Sequence, residues 1–142
     1  MRGFNKPTGE TVTFTRGEQS LSITFYPLPM GFHNWLTKAF PVPRRYLNGE
    51  AVPASPGVVN EWNDLATLIL IAKSAEDGTF ETAVPTGTAA EGVYRARAIA
   101  LRDEVRGAHF GDGDIRAMWA VVKRLTNESS VGARMDAAAG NS

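Results

Sequence analysis

The hydrophobic pattern of the chain centres on residues 58–72, VVNEWNDLATLILIA. Apolar side chains recur there at i, i+3, i+4 and i+7, the spacing that places them on one face of a helix. Leu68 and Ile71 widen this stripe, and a helix that is apolar over most of its circumference is usually buried. Pro56 and Gly57 break the chain just before it. The pattern predicts a central buried helix with a stripe of Val59, Trp62, Leu65, Ala66, Ile69 and Ala72.

The same run is too short to span a membrane. Its unbroken apolar core covers only residues 65–72, whereas a bilayer needs roughly 20 apolar residues. We therefore expect no membrane association.

Strict alternation of apolar and polar residues marks two strands near the N-terminus. Residues 11–15 (TVTFT) and 20–25 (SLSITF) alternate, and a four-residue turn containing Gly17 joins them. This pattern predicts a β-hairpin over residues 11–26 with one buried and one wet face. A two-stranded ribbon is marginal alone, so we expect it to pack on the helices. The predicted buried face consists of Val12, Phe14, Leu21, Ile23 and Phe25.

Helical spacing recurs three more times along the chain. Residues 31–40 predict a short amphipathic helix. A second helix runs to about Arg106 from a capping box of Thr88 and Glu91. A last helix follows Asp112, which we expect to cap it. The charged residues of the second helix are interpreted as a solvated face: Arg95, Arg97, Arg102, Asp103, Glu104 and Arg106.

Residues 41–57, PVPRRYLNGEAVPASPG, form a long proline-rich connection. A connection of this length without its own elements is uncommon in a compact domain. It is therefore either a solvated loop or an arm that binds a partner. Asn48 and Gly49 predict a tight turn within it. Residues 79–84 predict a short strand, and residues 126–142, which are polar and rich in small side chains, predict a flexible tail.

Together these patterns predict one α+β domain over residues 1–125. An N-terminal β-hairpin packs with three to four α-helices, a long proline-rich loop interrupts them, and a disordered tail follows at 126–142. A chain of 142 residues suits a single domain. Fifteen basic and fifteen acidic residues cancel, which argues against nucleic-acid binding, since that needs a basic field. The absence of cysteine excludes a thiolate metal site and a cysteine nucleophile.

No residue pattern in the sequence indicates a catalytic site. The acidic turn at residues 110–114 fails as a calcium loop, because the fifth and twelfth positions from Asp112 are Arg116 and Lys123. His33 and His109 lack a second ligand at metal spacing, and no nucleophile elbow accompanies them. We therefore expect no catalytic residue, no cofactor and no metal. The three tryptophans are expected to be core residues, because base-stacking aromatics would need a basic groove.

The order of elements resembles that of a known class of proteins. A hairpin leads into FYPLP at residues 25–29, Trp62 lies early in a helix, and a turn at 110–114 precedes the last helix. Over residues 10–125 this resembles the small tail assembly chaperones and minor morphogenesis proteins of tailed bacteriophages. The resemblance implies a non-enzymatic protein of the host cytoplasm. It would bind the tape-measure protein and keep it soluble until tail-tube subunits polymerise around it.

A chaperone of this kind needs a groove or an extended arm to hold its partner. Exposure and aromatic content favour five partner-binding residues: Tyr26, Leu28, Arg44, Arg45 and Tyr46.

Two other classes stay open. A structural virion component, such as a head–tail connector or tail-completion protein, would form a ring in the virion, with the proline-rich arm reaching the neighbouring subunit. A small enzyme or host-defence inhibitor ranks third.

Overall fold

The computed structural model of the protein describes residues 1–3, 7–85 and 90–129. Within them, an N-terminal hairpin and four helices confirm the predicted α+β class. The elements in chain order are β1 (Glu10–Arg16), β2 (Gln19–Phe25), α1 (Phe32–Ala39), β3 (Arg44–Leu47), β4 (Glu50–Pro53), α2 (Pro56–Ser74), α3 (Glu91–Gly107) and α4 (Asp112–Ser129).

The first hairpin has the predicted pairing but a tighter turn. β1 and β2 are antiparallel with Phe14 opposite Leu21, and the strands continue to Arg16 and Gln19. The turn begins at Gly17, whose φ of 60° is the positive value that the first central residue of a type II′ turn needs. Leu21 is 50% exposed. Ile23 and Phe25 on the predicted face are buried, and Val12 and Phe14 pack against the same cluster, so Leu21 is the one predicted residue of this face that is exposed.

Helix α2 lies between two hydrophobic clusters, which explains its continuous apolar run. Leu65 and Ile69 pack in one cluster with α1 and α3, and Ile71 packs in the other with β2 and α4. A helix covered on two sides needs apolar residues around most of its circumference. The predicted central helix is confirmed. It begins at Pro56 rather than at residue 58, because the fixed φ of proline suits a first helical turn.

The end of β2 joins the end of α2. The Tyr26 amide donates to the Ser74 carbonyl at 2.8 Å, and the Glu76 amide donates to the Thr24 carbonyl at 2.9 Å. The buried Ser74 hydroxyl donates to the Tyr26 carbonyl. These bonds give partners to backbone groups that a helix end leaves unsatisfied.

The first hairpin is also tied to α4. Arg16 donates to the Asp114 carboxylate and to the His109 carbonyl, and Arg124 pairs with Glu10. These bonds hold α4 beside β1. The two-stranded ribbon therefore packs against a helix, which it needs in order to be stable.

The cap of α4 differs from the prediction. Asp114, rather than Asp112, supplies the carboxylate, which accepts from the Gly111 amide at 2.8 Å. Asp114 follows Gly111 by three positions, and its side chain reaches back as the acid of a capping box does. The prediction of Asp112 as the cap is therefore wrong.

Two other predicted boundaries change. Residues 79–84 do not form a strand, because the amides of Glu81 and Thr82 donate to the Glu104 carboxylate at 2.8 and 2.9 Å rather than to a neighbouring strand. Residues 126–129, assigned to the tail, continue α4. The Thr88 cap and the rest of the predicted tail lie outside the described residues.

Candidate protein-interaction surface

The proline-rich segment contains a second hairpin. β3 and β4 are antiparallel, with Tyr46 opposite Ala51. Asn48 and Gly49 have φ values of 52° and 81°, and positive φ at both central residues is typical of a type I′ turn. The predicted tight turn is confirmed. Residues 44–53 form a β-hairpin, rather than an irregular loop or an extended arm.

All four residues of β3 are exposed. Tyr46 is 74% and Leu47 is 54% exposed. Because side chains alternate along a strand, Arg44 and Tyr46 share one face, and Arg45 and Leu47 share the other. Within the described part of the chain, neither guanidinium has an ion pair or a hydrogen bond. Each face therefore presents one cation and one large apolar side chain to solvent.

Tyr26 and Leu28 occupy a different part of the fold. Both are half-buried. Tyr26 is bonded to the end of α2 through Ser74. Leu28 packs against both clusters, and its amide donates to the Thr126 hydroxyl at 3.1 Å. The five predicted partner-binding residues are therefore divided between a packed connection and an exposed hairpin.

Sequence reasoning missed Leu47 as a member of this surface. The necessary pattern was present, since RRYL and EAVP flank Asn48 and Gly49 directly. An Asn-Gly pair between two short runs is typical of a β-hairpin. The surrounding prolines obscured it, because proline usually argues against a strand.

The histidines lie on the surface. His33 is exposed on α1, and His109 is exposed between α3 and α4 with a φ of 62°. His109 lines a cavity of about 400 Å³ together with Arg16 and Phe14, and none of the described residues that line it carries a carboxylate. Among the residues that the structure describes, no three potential metal ligands lie together.

The tryptophans pack against the clusters but keep some exposure. All three are half-buried. Trp62 donates its indole N–H to the Phe40 carbonyl at 3.0 Å. Trp35 lies edge-on to Tyr94, with ring centroids 6.3 Å apart. Their main role in this fold is packing, as predicted.

The charged residues of helix α3 do not all lie on a solvated face. Arg102 has a side chain only 29% exposed, and its Nη1 lies 3.6 Å from Oε1 of Glu61 on α2. Its Nε is buried and has no hydrogen-bond partner in the part of the chain that the structure describes. Arg102 borders a second cavity of about 370 Å³ between α2, α3 and α4. The interpretation of this arginine as fully solvated is therefore wrong.

None of the helices in residues 1–3, 7–85 and 90–129 is long and apolar enough to cross a membrane. Comparisons of the chain with protein-family models, with curated proteins and with solved structures found no match.

Proposed function

We propose that the protein is a non-enzymatic assembly protein of a tailed bacteriophage, a tail assembly chaperone that holds a tape-measure-like partner. The supporting observation is that all four residues of β3 are exposed, so that a hairpin presents Arg44, Arg45, Tyr46 and Leu47 to solvent. Tyrosine and arginine are enriched among the residues that dominate binding energy at protein interfaces.

The hairpin suits a long polypeptide partner. Tyr46 and Leu47 offer apolar area, and the two arginines offer planar donors for acidic side chains. The type I′ turn at Asn48 and Gly49 sets the shape of the hairpin before binding. Such preorganisation lowers the entropy lost on association.

The test is co-expression with a tape-measure protein, the long helical partner that this proposal requires. Changing Arg44, Arg45 and Tyr46 together to alanine should abolish co-purification and leave the partner insoluble. A matched control changes Arg97, Lys38 and Val93 to alanine, since these are two exposed cations and one exposed apolar residue on helices. The control should behave as wild type. Unchanged co-purification of the hairpin variant, with its thermal midpoint preserved, would exclude the hairpin as the binding surface.

A structural virion component is the second candidate. One observation favours it: within the described residues β3 and β4 form a sheet of two strands, so their outer edges are unpaired. An unpaired edge can accept a strand from a neighbouring copy. Light scattering separates the two functions, because a ring of many copies supports the virion component and a monomer or small oligomer supports the chaperone.

A further inference from the structure

The cavity bordered by Arg102 lies where α2, α3 and the start of α4 meet. Its volume of about 370 Å³ falls within the range of roughly 300–1,000 Å³ found for small-molecule sites, which often lie between helices. It does not involve the β3–β4 hairpin.

Basic side chains outnumber acidic ones around this cleft. Three arginines line it, Arg102 and Arg106 from α3 and Arg116 from α4, against the two acids Asp64 and Asp112. The guanidinium groups of Arg106 and Arg116 make no ion pair or hydrogen bond within the described structure. Glu61 offsets the charge of Arg102, so it is the two unengaged guanidinium groups of Arg106 and Arg116 that favour an anionic ligand.

The remaining wall is apolar and partly aromatic. Trp119, Phe110 and Val105 line it. Lys123 lies 5.7 Å from the centroid of the Trp119 ring, which adds positive charge near this wall. A flat apolar group can stack against such a surface while its charged end meets the arginines.

We infer that this cleft binds a small organic anion with a flat apolar body, whose carboxylate or phosphate is held by Arg106 and Arg116. Arg102, whose Nε is buried and whose Nη1 lies 3.6 Å from Glu61, borders the same cleft. Guanidinium groups match both headgroups, because their planar donors bind carboxylate and phosphate in pairs.

The test uses the indole N–H signals of the full-length, nitrogen-15-labelled protein. Trp119 lines the cleft, whereas Trp35 and Trp62 do not and serve as internal controls. The probes are naphthoate, naphthyl phosphate, neutral naphthamide of nearly the same shape, and inorganic phosphate. The Trp119 signal should shift saturably with naphthoate or naphthyl phosphate, and the tighter of the two identifies the headgroup.

Substitutions then assign the anion contact. Arg106→Gln and Arg116→Gln remove charge from exposed side chains, and each should weaken binding about fivefold, the loss expected for a partly solvated charge-assisted hydrogen bond. Arg97→Gln, an exposed position of the same helix outside the cleft, should have no effect.

Three results would overturn the inference. One is the absence of a saturable Trp119 shift at millimolar probe. Another is naphthamide or inorganic phosphate binding as tightly as the aromatic anions. The third is wild-type affinity in both cleft variants.

Discussion

Tyr94 has a buried hydroxyl. The residue is 0% exposed, and among the described residues its oxygen has no hydrogen-bond partner. The ring packs in the cluster formed by α1, α2 and α3, edge-on to Trp35. A buried polar group left without a hydrogen bond costs about 1–3 kcal/mol. The packing of the ring therefore stabilises the fold, whereas the buried hydroxyl lowers the free energy of unfolding.

Tyr94→Phe keeps the ring and removes the hydroxyl. We expect the free energy of unfolding to rise by about 1 kcal/mol, the lower end of that cost, because the oxygen leaves a small void. In a chain of this length, that corresponds to a rise of about 4 °C in the thermal midpoint.

Urea unfolding monitored by circular dichroism measures this change. Tyr46→Phe is the matched control, because Tyr46 is 74% exposed and its hydroxyl lies in water. The control should stay within about 0.5 kcal/mol of wild type. A Tyr94→Phe protein less stable than wild type by about 1 kcal/mol or more would refute the reasoning, since the hydroxyl would then make a stabilising bond.

The stabilities of Tyr94→Phe and wild type can also be compared at alkaline pH. Burial raises the pKa of Tyr94 above its ordinary value of 10.0, because the phenolate is poorly solvated inside the cluster. The unfolded chain then loses this proton first. The contribution of neutral Tyr94 to the free energy of unfolding is therefore fully present below pH 10.0, and it is lost as pH rises towards the folded pKa. The stability gap between Tyr94→Phe and wild type should therefore widen above about pH 10.

Other perturbations follow from the caps and turns. The hydrogen bond from the Gly111 amide is the main reason that the pKa of Asp114 lies below its usual 3.8. Asp114→Asn should therefore cost about 1 kcal/mol at neutral pH, and this difference should shrink as the pH falls below 3.8 towards the lower folded pKa of the carboxyl group; a melting difference that stays constant as the pH falls through this range would contradict this. Gly9→Ala places a Cβ 2.8 Å from two side chains and should cost about 1–3 kcal/mol by urea unfolding, whereas Gly57→Ala, with nothing within 4 Å, should not destabilise. Gly49→Ala, at a φ of 81°, should speed amide exchange in β3 and β4 without lowering the global midpoint; unchanged exchange would show that the turn tolerates a side chain.

Local periodicity predicted the elements whose burial repeats along the chain. The 58–72 run specified a helix because its apolar spacing is unaffected by what covers it. The alternation around Phe14 and Ile23 specified the first hairpin in the same way. The predicted strand at 79–84 failed for a non-local reason. Its amides bind Glu104, which follows by more than twenty residues and whose approach depends on the packing of α3.

The candidate surfaces were harder to predict than the fold. Arg44, Arg45 and Tyr46 could be selected from sequence, because a proline-rich segment keeps its polar residues near water. Tyr26 and Leu28 also lie beside prolines, yet tertiary contacts leave both residues half-buried. The arginine-lined cleft needs residues from α3 and α4 that meet only after packing, so no spacing rule could reveal it.

The position of the second hairpin allows the proposed partner binding to be tested separately from stability in this fold. It is inserted between α1 and α2, and both helices contribute to the same cluster without any β3 residue. Its shape is set locally, by the positive φ of Asn48 and Gly49 and by pairing between its own strands. Truncating Tyr46 or Leu47 therefore removes area that is already exposed, which leaves the hydrophobic contribution to folding almost unchanged. The same truncation removes apolar area that only a partner can bury. A hairpin variant that lost both stability and partner would contradict this separation.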